Sequence, residues 1–371
     1  MRMMFAARAM DNMAGGVERM IVTIMNEMAR RGHEVALFSW DHGGAQAFYP
    51  IDPKVKWYKL DLGNPAKRAA LGLRLQRAPK VRRMVSDFRP DVIVGFQGGV
   101  FRAMLIYTYG LGIPVVAAER TAPSLYEHAS TERNRLIELF SFRFARTIAV
   151  QFDRYRSSYP NYLQQKIVET PNPVPVAEMR AQPSLPGPNG RFRLLAVGRL
   201  GYQKNFQVLL RAFGELTSQF PEWDLRIVGE GEDREQLEAI VGETPALSGR
   251  VHLPGATRDV ASEYASAHLF CLPSRWEGFP NALAEALAHG LPAVGFADCS
   301  GVCDLIDHGK SGLLATGMND PDSLAKALSS LMADAGRRGA MGESAVASMQ
   351  QYRPARCFDR WEKVLKDAAR G

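Results

Sequence analysis

Cysteine is scarce in this chain of 371 residues, and its 4 cysteines form no regular pattern. Cys271, Cys299, Cys303 and Cys357 are too few and too irregularly spaced for a disulfide framework in a chain of this size. Cys299 and Cys303 lie near His308, but the spacing matches no zinc-binding pattern. We therefore expect buried or idle thiols, no metal ion and a reducing cytoplasmic environment.

Long hydrophobic runs are also missing. The longest apolar stretch, residues 104–118, is too short to span a bilayer and contains glycine and proline. The first residues, "MRMMFAARAMDNMAGG", include Arg8 and Asp11, which interrupt any apolar region of a signal peptide. This stretch is predicted to be a first strand, in a protein that is soluble or peripheral on the inner face of the membrane.

The chain has an excess of positive charge, with a formal net charge of +7 and a pI near 9.3. Such a balance favours an anionic partner, namely a phosphorylated ligand, an acidic membrane or nucleic acid. No helix-turn-helix, finger or aromatic-interleaved basic motif occurs, so nucleic acid is not an expected partner.

Much of the positive charge is concentrated in a basic window at residues 54–83. Its cations are Lys54, Lys56, Lys59, Lys67, Arg68, Arg74, Arg77, Lys80, Arg82 and Arg83. Leucine and alanine alternate with these cations in a roughly helical pattern, which suits the headgroup layer of an anionic membrane. A solvated basic face with no lipid partner is the alternative interpretation.

Two halves of the chain alternate short apolar runs with helix-like stretches. In the first half the strand-like runs cover 33–40, 90–96, 113–119 and 146–152, and the first helix-like stretch ends at Gly32. Apolar residues run continuously along these strands, which is typical of a parallel sheet covered by helices on both faces. The sequence predicts an α/β protein with two doubly wound, Rossmann-like domains.

A proline-rich stretch at 170–190 separates the two halves and has little periodicity, so it is predicted to be a linker. The strand-like runs of the second half are 192–200, 224–231, 251–255, 267–274 and 291–296. The predicted segments are a domain at 1–172, a linker at 173–190, a domain at 191–352 and a final helix at 353–371. Ligands of such sheets bind at the carboxyl ends of the strands.

Several polar residues of the second half directly follow predicted strands. Arg199 and Lys204 lie just after the opening strand, where a planar guanidinium and a compact ammonium suit a diphosphate. Gly229 and Gly231 form a turn that enters a helix, a pattern more typical of a tight turn than of a phosphate site. Alone, the Arg199–Lys204 pair is weak evidence for a phosphate site, since surface arginines and lysines are common and are usually only solvated.

The segment "SRWEGFPNALAEALAHGLP" carries a more specific pattern, with two glutamates eight positions apart. Glu277 precedes a helix that starts near Pro280, and Glu285 lies one turn inside it. The first N–H groups of this helix would attract an anion, and Gly278 permits close backbone approach. A carboxylate at Glu277 would face neutral hydroxyl groups, as a sugar offers. An ordinary helix start with two solvated glutamates is the alternative.

At this point a family resemblance becomes visible. The segments "GRLGYQKN", "VGEGEDREQL", "SRWEGFPNALAEALAHGLPAVG" and "DLIDHGKSGLL" follow one another as in the family 4 retaining glycosyltransferases (glycosyl transferases group 1). "AGGVER" at 14–19 resembles their N-terminal glycine-rich loop. The resemblance implies the GT-B fold, with two Rossmann-like domains, a central cleft and a C-terminal helix that packs back on the first domain.

The resemblance also implies a nucleotide-sugar donor, UDP-linked by family habit, and no metal or other cofactor. Arg199 and Lys204 would bind the diphosphate and stabilise the leaving nucleotide, Glu277 would hold sugar hydroxyls and Glu285 the ribose. The other donor-binding residues that it implies are Gly15, Gly16, Gly229, Pro254, Gly278, Phe279, Asn281, Ala282 and Leu283. The anomeric configuration would be retained, with no protein nucleophile.

The first half departs from the family pattern. Where many relatives have a histidine near the reacting carbon, this chain has Glu119 and Arg120. An arginine does not act as a base at neutral pH, so Arg120 would not take a proton. Both residues and Gly98 are candidates for the acceptor side, and a structural ion pair between Glu119 and Arg120 is the alternative.

The leading hypothesis is transfer of a hexose or N-acetylhexosamine from a nucleotide sugar to a glycan acceptor, either polyprenyl-diphosphate-linked or part of lipopolysaccharide or capsule. A nucleotide-sugar 2-epimerase of GT-B-like fold would need more carboxylates and histidines in the first half. A non-catalytic nucleotide-sugar-binding protein would need a broken donor site, yet Arg199, Lys204, Glu277 and Glu285 are all present.

Overall fold

The protein forms two compact units in a computed structural model that describes residues 1–67, 69–123 and 132–370. The first unit comprises Met1–Pro173 and Pro354–Gly371, and the second comprises Val174–Arg353. Residues 174–190 therefore belong to the second unit, where the Val174 amide donates to Tyr352 and the Ala181 amide to His289. Arg68 of the basic window lies outside the described residues.

Among the described residues, the first unit contains one parallel sheet of 7 strands in the order β3-β2-β1-β4-β5-β6-β7. Its strands are β1 (Arg2–Ala7), β2 (Glu34–Ser39), β3 (Lys56–Lys59), β4 (Val92–Phe96), β5 (Val115–Ala118), β6 (Ile148–Val150) and β7 (Ile167–Glu169). The central strands are buried on both faces, as their continuous apolar sequences predict.

Helices cover this sheet. They are α1 (Gly16–Arg30), α2 (Leu71–Phe88), α3 (Gly98–Tyr107), α4 (Glu132–Phe142), α5 (Asn161–Gln164) and the last helix of the chain, α13 (Pro354–Arg370); a 3₁₀ turn spans Asp153–Ser158. The helical pattern of the basic window corresponds to α2.

The C-terminal helix is part of the first unit. Phe358, Trp361 and Leu365 on one face of α13 are buried in the core, and the Trp361 ring lies 6.1 Å from Phe96 at the end of β4. On its outer side Glu362 pairs with Arg31 at 2.6 Å and with His33 at 2.9 Å, just after α1. The helix thus packs back on the first unit although it follows the second in sequence.

The second unit contains a parallel sheet of 6 strands in the order β10-β9-β8-β11-β12-β13. Its strands are β8 (Phe192–Val197), β9 (Trp223–Val228), β10 (Val251–Gly255), β11 (Leu269–Leu272), β12 (Ala293–Phe296) and β13 (Gly312–Ala315). Its helices are α6 (Phe206–Leu216), α7 (Arg234–Glu243), α8 (Val260–Ala265), α9 (Asn281–Ala288), α10 (Val302–Leu305), α11 (Pro321–Met332) and α12 (Ala335–Met349), with 3₁₀ turns at Pro245–Leu247 and Gln350–Tyr352.

The predicted fold class is confirmed, since both sheets are parallel and both show the strand order of doubly wound proteins. Three short strands, β3, β7 and β13, were not among the predicted runs. β3 lies within the basic window and has the sequence KWYK, so its lysines mask it as a polar segment. Within the described ranges, none of the helices combines the length and hydropathy that a membrane span requires.

Candidate functional site

The second sheet reverses its strand order between β8 and β11, and the loops that follow these two strands meet there. Gln203 Nε2 donates to the Trp276 carbonyl at 2.7 Å, and the Arg275 amide donates to the Gln203 carbonyl at 2.9 Å. Such a reversal opens a crevice at the carboxyl edge of a doubly wound sheet, which is where ligands bind.

A buried ion pair joins the same two loops. Lys204 Nζ lies 2.5 Å from Glu277 Oε1, and Ser274 Oγ donates to the same oxygen at 2.7 Å. The side chains of Lys204 and Glu277 are mostly buried. Two predicted donor residues are thus held together, whereas Ser274 was not singled out from the sequence because a lone serine after a strand carries no signal.

Arg199 is arranged differently from Lys204. Its guanidinium is 76% exposed and pairs with Glu232 at 3.0 Å, in the turn after β9. An exposed pair of this kind contributes little to stability and opens readily. Arg199 can therefore bind an anionic ligand by giving up only its weak contact with Glu232, whereas Lys204 is already held beside Glu277.

Glycines let three loops of this edge approach one another. A Cβ on Gly229, whose φ is +151°, would lie 1.9 Å from the Gly198 carbonyl oxygen. The Gly229 amide donates to the Gly255 carbonyl at 3.0 Å, next to Pro254 in β10. The loops after β8, β9 and β10 therefore lie side by side, with room for main chain only.

Helix α9 starts beside Glu277, as the sequence predicts. Pro280 precedes its first residue, and the turn that contains Gly278 and Phe279 brings the chain into the helix. Phe279 is buried, with its ring 5.5 Å from Tyr352, and anchors this turn. The first amides of a helix carry a partial positive charge, so this edge offers both a fixed cation and a helix N-terminus.

The residues in the first turn of α9 differ in their exposure to solvent. Leu283 is fully buried, so only its main chain is placed to meet a ligand, whereas Asn281 and Ala282 are partly exposed. Glu285, one turn further on, accepts a hydrogen bond from the Tyr264 hydroxyl at 3.2 Å. The two glutamates of the pattern thus have different surroundings, an ammonium for Glu277 and a phenol for Glu285.

Gly15 and Gly16 lie in the first unit, where Gly15 is the N-cap of α1. A Cβ on Gly15 would lie 2.1 Å from Glu18 Oε2, so the Glu18 side chain folds back over the glycine at the helix start. Burial raises the pKa of the Glu18 carboxyl above its ordinary value. Glu18 belongs to "AGGVER" but was not singled out from the sequence.

Glu119 and Arg120 follow β5 and are both buried. The Arg120 guanidinium donates to the Thr170 carbonyl at 2.7 Å, to Thr170 Oγ1 at 2.6 Å and to the Ala149 carbonyl at 3.0 Å, and it lies 5.0 Å from the Trp361 ring. Arg120 thus ties β5 to the neighbouring strands and to α13.

Glu119 has a different environment. Its Oε1 is buried with no hydrogen-bond partner among the described residues. Burial above all, with the nearby charge of Glu138, raises its pKa to about 8, although Arg120 and Arg102 act in the opposite direction. The raised pKa favours the protonated form of the carboxyl, which is able to donate a hydrogen bond.

Glu138 on α4 was missed in the sequence. A Cβ on Gly98 would lie 1.4 Å from Glu138 Oε1, so the absence of a side chain at Gly98 admits this carboxylate at the start of α3. The preceding residue, Gln97, has a φ of +67°, an uncommon value for a residue other than glycine. Glu138 also lines a small pocket with Arg135, Phe142 and Tyr159.

No group of three or more histidine, cysteine, aspartate or glutamate residues suitable for a metal ion occurs in the part of the chain that the structure describes. Cys271, Cys299 and Cys357 are buried as free thiols, and Cys303 is partly buried.

Comparison with known families assigns both halves of the chain. Residues 14–175 match "Glycosyltransferase Family 4", and residues 191–334 match "Glycosyl transferases group 1". An uncharacterized glycosyltransferase of Haemophilus influenzae is 26% identical over an alignment of 361 positions that covers 95% of this chain and 96% of that protein. The amylovoran biosynthesis glycosyltransferase AmsD of Erwinia amylovora is 24% identical over an alignment of 359 positions, which also covers 95% of this chain and 96% of the relative.

Solved structures share the fold. The Anabaena protein Alr3699/HepE, solved in complex with UDP and glucose, superposes with a TM-score of 0.78 over 99% of this chain and 100% of its own, at 17% sequence identity. The two family matches cover most of the chain, in the order of its two sheets, and the relatives match it almost throughout. The chain therefore belongs to the family 4 glycosyltransferases and has the GT-B fold.

Proposed function

We propose that this glycosyltransferase moves a hexose or an N-acetylhexosamine from a UDP-sugar to a glycan acceptor, with retention of the anomeric configuration and without a metal ion. The observation that supports this most directly is the Lys204–Glu277 pair at the strand-order reversal, next to the start of α9. It combines a cation for a diphosphate with a carboxylate for sugar hydroxyls.

The donor would bind with its diphosphate between Lys204, Arg199 and the first amides of α9. Lys204 is already in place, and Arg199 would exchange its exposed contact with Glu232 for the phosphate oxygens. Glu277 would accept hydrogen bonds from the sugar, with its position fixed by Ser274. Glu285 would hold the ribose, while the turn at Pro254 and Gly229 would lie near the base.

In the proposed reaction, the bond between the anomeric carbon and the diphosphate oxygen breaks while the acceptor oxygen bonds to the same face of that carbon. The acceptor proton passes to the departing phosphate oxygen, so no protein base is needed. Negative charge grows on the leaving diphosphate, and Lys204 and Arg199 would stabilise it more in the transition state than in the ground state.

The choice of UDP is supported by the Anabaena protein, whose structure holds UDP and glucose. A role in the biosynthesis of a glycan is supported by the relative AmsD, a glycosyltransferase of amylovoran biosynthesis. The acceptor is proposed to be a glycan carried on a polyprenyl diphosphate or on lipopolysaccharide or capsule. Gly98 and the protonated Glu119 are proposed to lie on the acceptor side, with Arg120 holding the strands beneath them.

The basic window at 54–83 is proposed to bind the diphosphate of such an acceptor or an anionic membrane. Several of its cations already have partners: Lys59 donates to the carbonyls of Gly43 and Ala45, Arg77 donates to Leu62, and Arg82 donates to Tyr107 and Tyr109. These contacts fix the long side chains in place and leave the window a positively charged surface of α2 and its neighbours.

The first test is calorimetric titration with UDP, GDP and ADP and then with their sugars, with and without EDTA. We expect one nucleotide, UDP, to bind equally well with EDTA, and one UDP-sugar to bind more tightly. Transfer to a lipid-linked glycan is then followed with that sugar, and the anomeric configuration of the product is read by NMR. Absence of binding by every nucleotide would overturn the proposal in favour of a non-catalytic role.

A further inference from the structure

Helix α4 and the segments next to it carry large apolar side chains on the surface of the first unit. Leu136, Ile137, Phe140, Phe144 and Tyr162 are each at least half exposed, and Leu136 is 70% exposed. Scattered single apolar residues are normal on a protein surface, whereas a connected group of this kind usually marks an interaction site.

Contacts connect the aromatic members of this group, and Leu136 and Ile137 lie one helical turn before Phe140 on α4. The Phe140 and Phe144 rings pack edge to face at 5.8 Å, and the Arg143 guanidinium lies between them and Tyr162, 5.9 Å from the Phe140 ring and 5.0 Å from the Tyr162 ring. We call this surface, Leu136, Ile137, Phe140, Phe144 and Tyr162 with the cations Arg143, Arg146 and Lys166, the aromatic ridge.

The cations of the aromatic ridge lie close together. Lys166 Nζ donates to the carbonyls of Arg143 and Ala145 at 2.6 and 2.9 Å, just beyond the end of α4. Burial and the nearby charge of Arg146 lower the pKa of Lys166. Residues 135–146 contain a single acidic residue, Glu138, whose carboxylate lies beside Gly98. The ridge therefore joins apolar side chains to concentrated positive charge.

We propose that the aromatic ridge docks the protein on the surface of an anionic lipid bilayer. Phenylalanine, leucine and isoleucine would enter the boundary between headgroups and acyl chains, Tyr162 would lie at headgroup level, and the three cations would face lipid phosphates. Charge complementarity favours this partner over an apolar protein surface, which would leave Arg143, Arg146 and Lys166 without counterions.

The ridge is distinct from the basic window at 54–83, which lies on α2 and the strands before it. Of the two partners proposed above for the window, this proposal keeps the acceptor diphosphate and assigns the bilayer to the ridge. Docking on a bilayer rests on the proposed function, because a lipid-linked acceptor lies in a membrane. The vesicle experiment needs neither donor nor acceptor, so the docking proposal and the proposed function can fail independently of each other.

The experiment is flotation of the full chain with vesicles of phosphatidylglycerol and phosphatidylethanolamine, compared with vesicles of phosphatidylcholine alone. Binding is expected on the anionic vesicles and is expected to weaken in 0.5 M salt. Arg143→Gln with Arg146→Gln should lower the partition coefficient about 30-fold, at about fivefold per cation. Phe140→Ser with Phe144→Ser should lower it about tenfold or more, because both rings leave the interface.

Two matched variants serve as controls. Val176→Ser with Leu185→Ser removes exposed apolar side chains from the second unit, and Arg74→Gln with Arg83→Gln removes cations from the basic window. Both should bind vesicles within about twofold of the unchanged protein, and UDP binding should be unchanged in all four variants. Thermal melts verify that the ridge variants remain folded.

Three outcomes would overturn the proposal. The first is vesicle binding that survives both ridge variants. The second is loss of binding only in the Arg74/Arg83 variant, which would assign the membrane contact to the window. The third is absence of vesicle binding together with self-association in sedimentation velocity that the ridge variants abolish, which would assign the ridge to a second copy of the chain.

Discussion

Lys204 Nζ lies 2.5 Å from Glu277 Oε1, although the two residues are 73 positions apart in the sequence. They meet because β8 and β11 are neighbours in the second sheet, so that the loops after both strands emerge at one point of its edge. Ser274 donates to the same carboxylate oxygen. Removal of any one member of this group therefore changes the surroundings of the other two.

Substitution of Lys204 and of Glu277 should affect different parts of the reaction. Lys204→Met should lower kcat about 10²–10³-fold and weaken UDP binding, because the leaving diphosphate loses a fixed cation. Glu277→Gln should lower kcat by a similar factor with a smaller loss of UDP affinity, because the carboxylate is proposed to bind the sugar and the Gln carbonyl oxygen can still accept a hydrogen bond from Lys204. Steady-state kinetics and UDP calorimetry provide the two readouts.

Arg211→Met, on the exposed side of α6, is a matched control for the loss of a cation. The double variant of Lys204 and Glu277 should lose little more activity than either single variant, since the two residues act together. If both single variants lost UDP affinity equally, the proposed contact of Glu277 would be with the phosphates and not with the sugar.

Ser274→Ala should have a smaller effect of the same kind as Glu277→Gln. The hydroxyl at 2.7 Å holds the carboxylate, and its loss removes one hydrogen bond to a charged group, worth about 1.5–3 kcal/mol. We expect KM for the UDP-sugar to rise about tenfold while inhibition by UDP stays unchanged. Ser274→Thr, which keeps the hydroxyl, should restore part of the affinity; failure of this rescue would argue against a positioning role.

The environment of His268 leads us to expect that the second unit loses stability in acid. It is buried and its Nδ1 accepts the Arg193 amide at 2.8 Å; burial, with the charge of Arg338, lowers its pKa from 6.5 to about 4. The unfolded chain therefore binds a proton below pH 6.5 that the folded protein excludes, and stability is lost as the pH falls from 6.5 to 4. The loss should reach about 3 kcal/mol at pH 4.

The contribution of His268 is isolated by comparison with His268→Gln in urea unfolding at several pH values. Carboxylates titrate in the same range in both proteins, so the difference between their unfolding free energies reports this residue. That difference should shift in favour of the variant as the pH falls below 6.5. A difference that stays constant from pH 7 to pH 4 would contradict the assignment.

The fold, and the position of Lys204 and Glu277 at the edge of the second sheet, were accessible from the sequence because they depend on local patterns. Continuous apolar strands predict a parallel sheet, and a polar residue directly after such a strand lies at the sheet edge whatever the rest of the chain does. Lys204 and Glu277 satisfy this rule, and their order along the chain is the order that the family resemblance requires.

The first unit was less accessible because its polar groups are brought together by tertiary contacts. Glu138 reaches Gly98 from a helix 40 positions later, and its surroundings depend on a glycine whose missing side chain makes the space. The adjacent positions of Glu119 and Arg120 suggested an ion pair between them, but the Arg120 guanidinium donates its hydrogen bonds to Thr170 and Ala149. No sequence spacing encodes these contacts.

Glu119→Gln tests whether the buried carboxyl is held protonated. Its pKa is raised to about 8 from 4.5, chiefly by burial, so the folded protein keeps a proton that the unfolded chain loses above pH 4.5. The stability that this gives is complete below pH 4.5 and is lost as the pH rises to about 8. Glu119→Gln has no proton to lose, so its free energy of unfolding should rise relative to that of the unchanged protein by about 3.5 kcal/mol between pH 5 and pH 8.

Urea unfolding at pH 5, 6, 7 and 8 measures this difference, with Glu18→Gln as a second carboxyl of raised pKa and Glu243→Gln as an exposed control. Arg102, Arg120, Glu138 and Tyr159 interact with Glu119 electrostatically and are unchanged in the variant. If Glu119 instead were ionised and held by Arg120, the variant would be less stable at every pH above 5. The rate of glycosyl transfer by Glu119→Gln then tests the role of this carboxyl on the acceptor side. If a protonated Glu119 only donates a hydrogen bond to the acceptor, the Gln amide can donate in its place, and the rate should fall about tenfold or less.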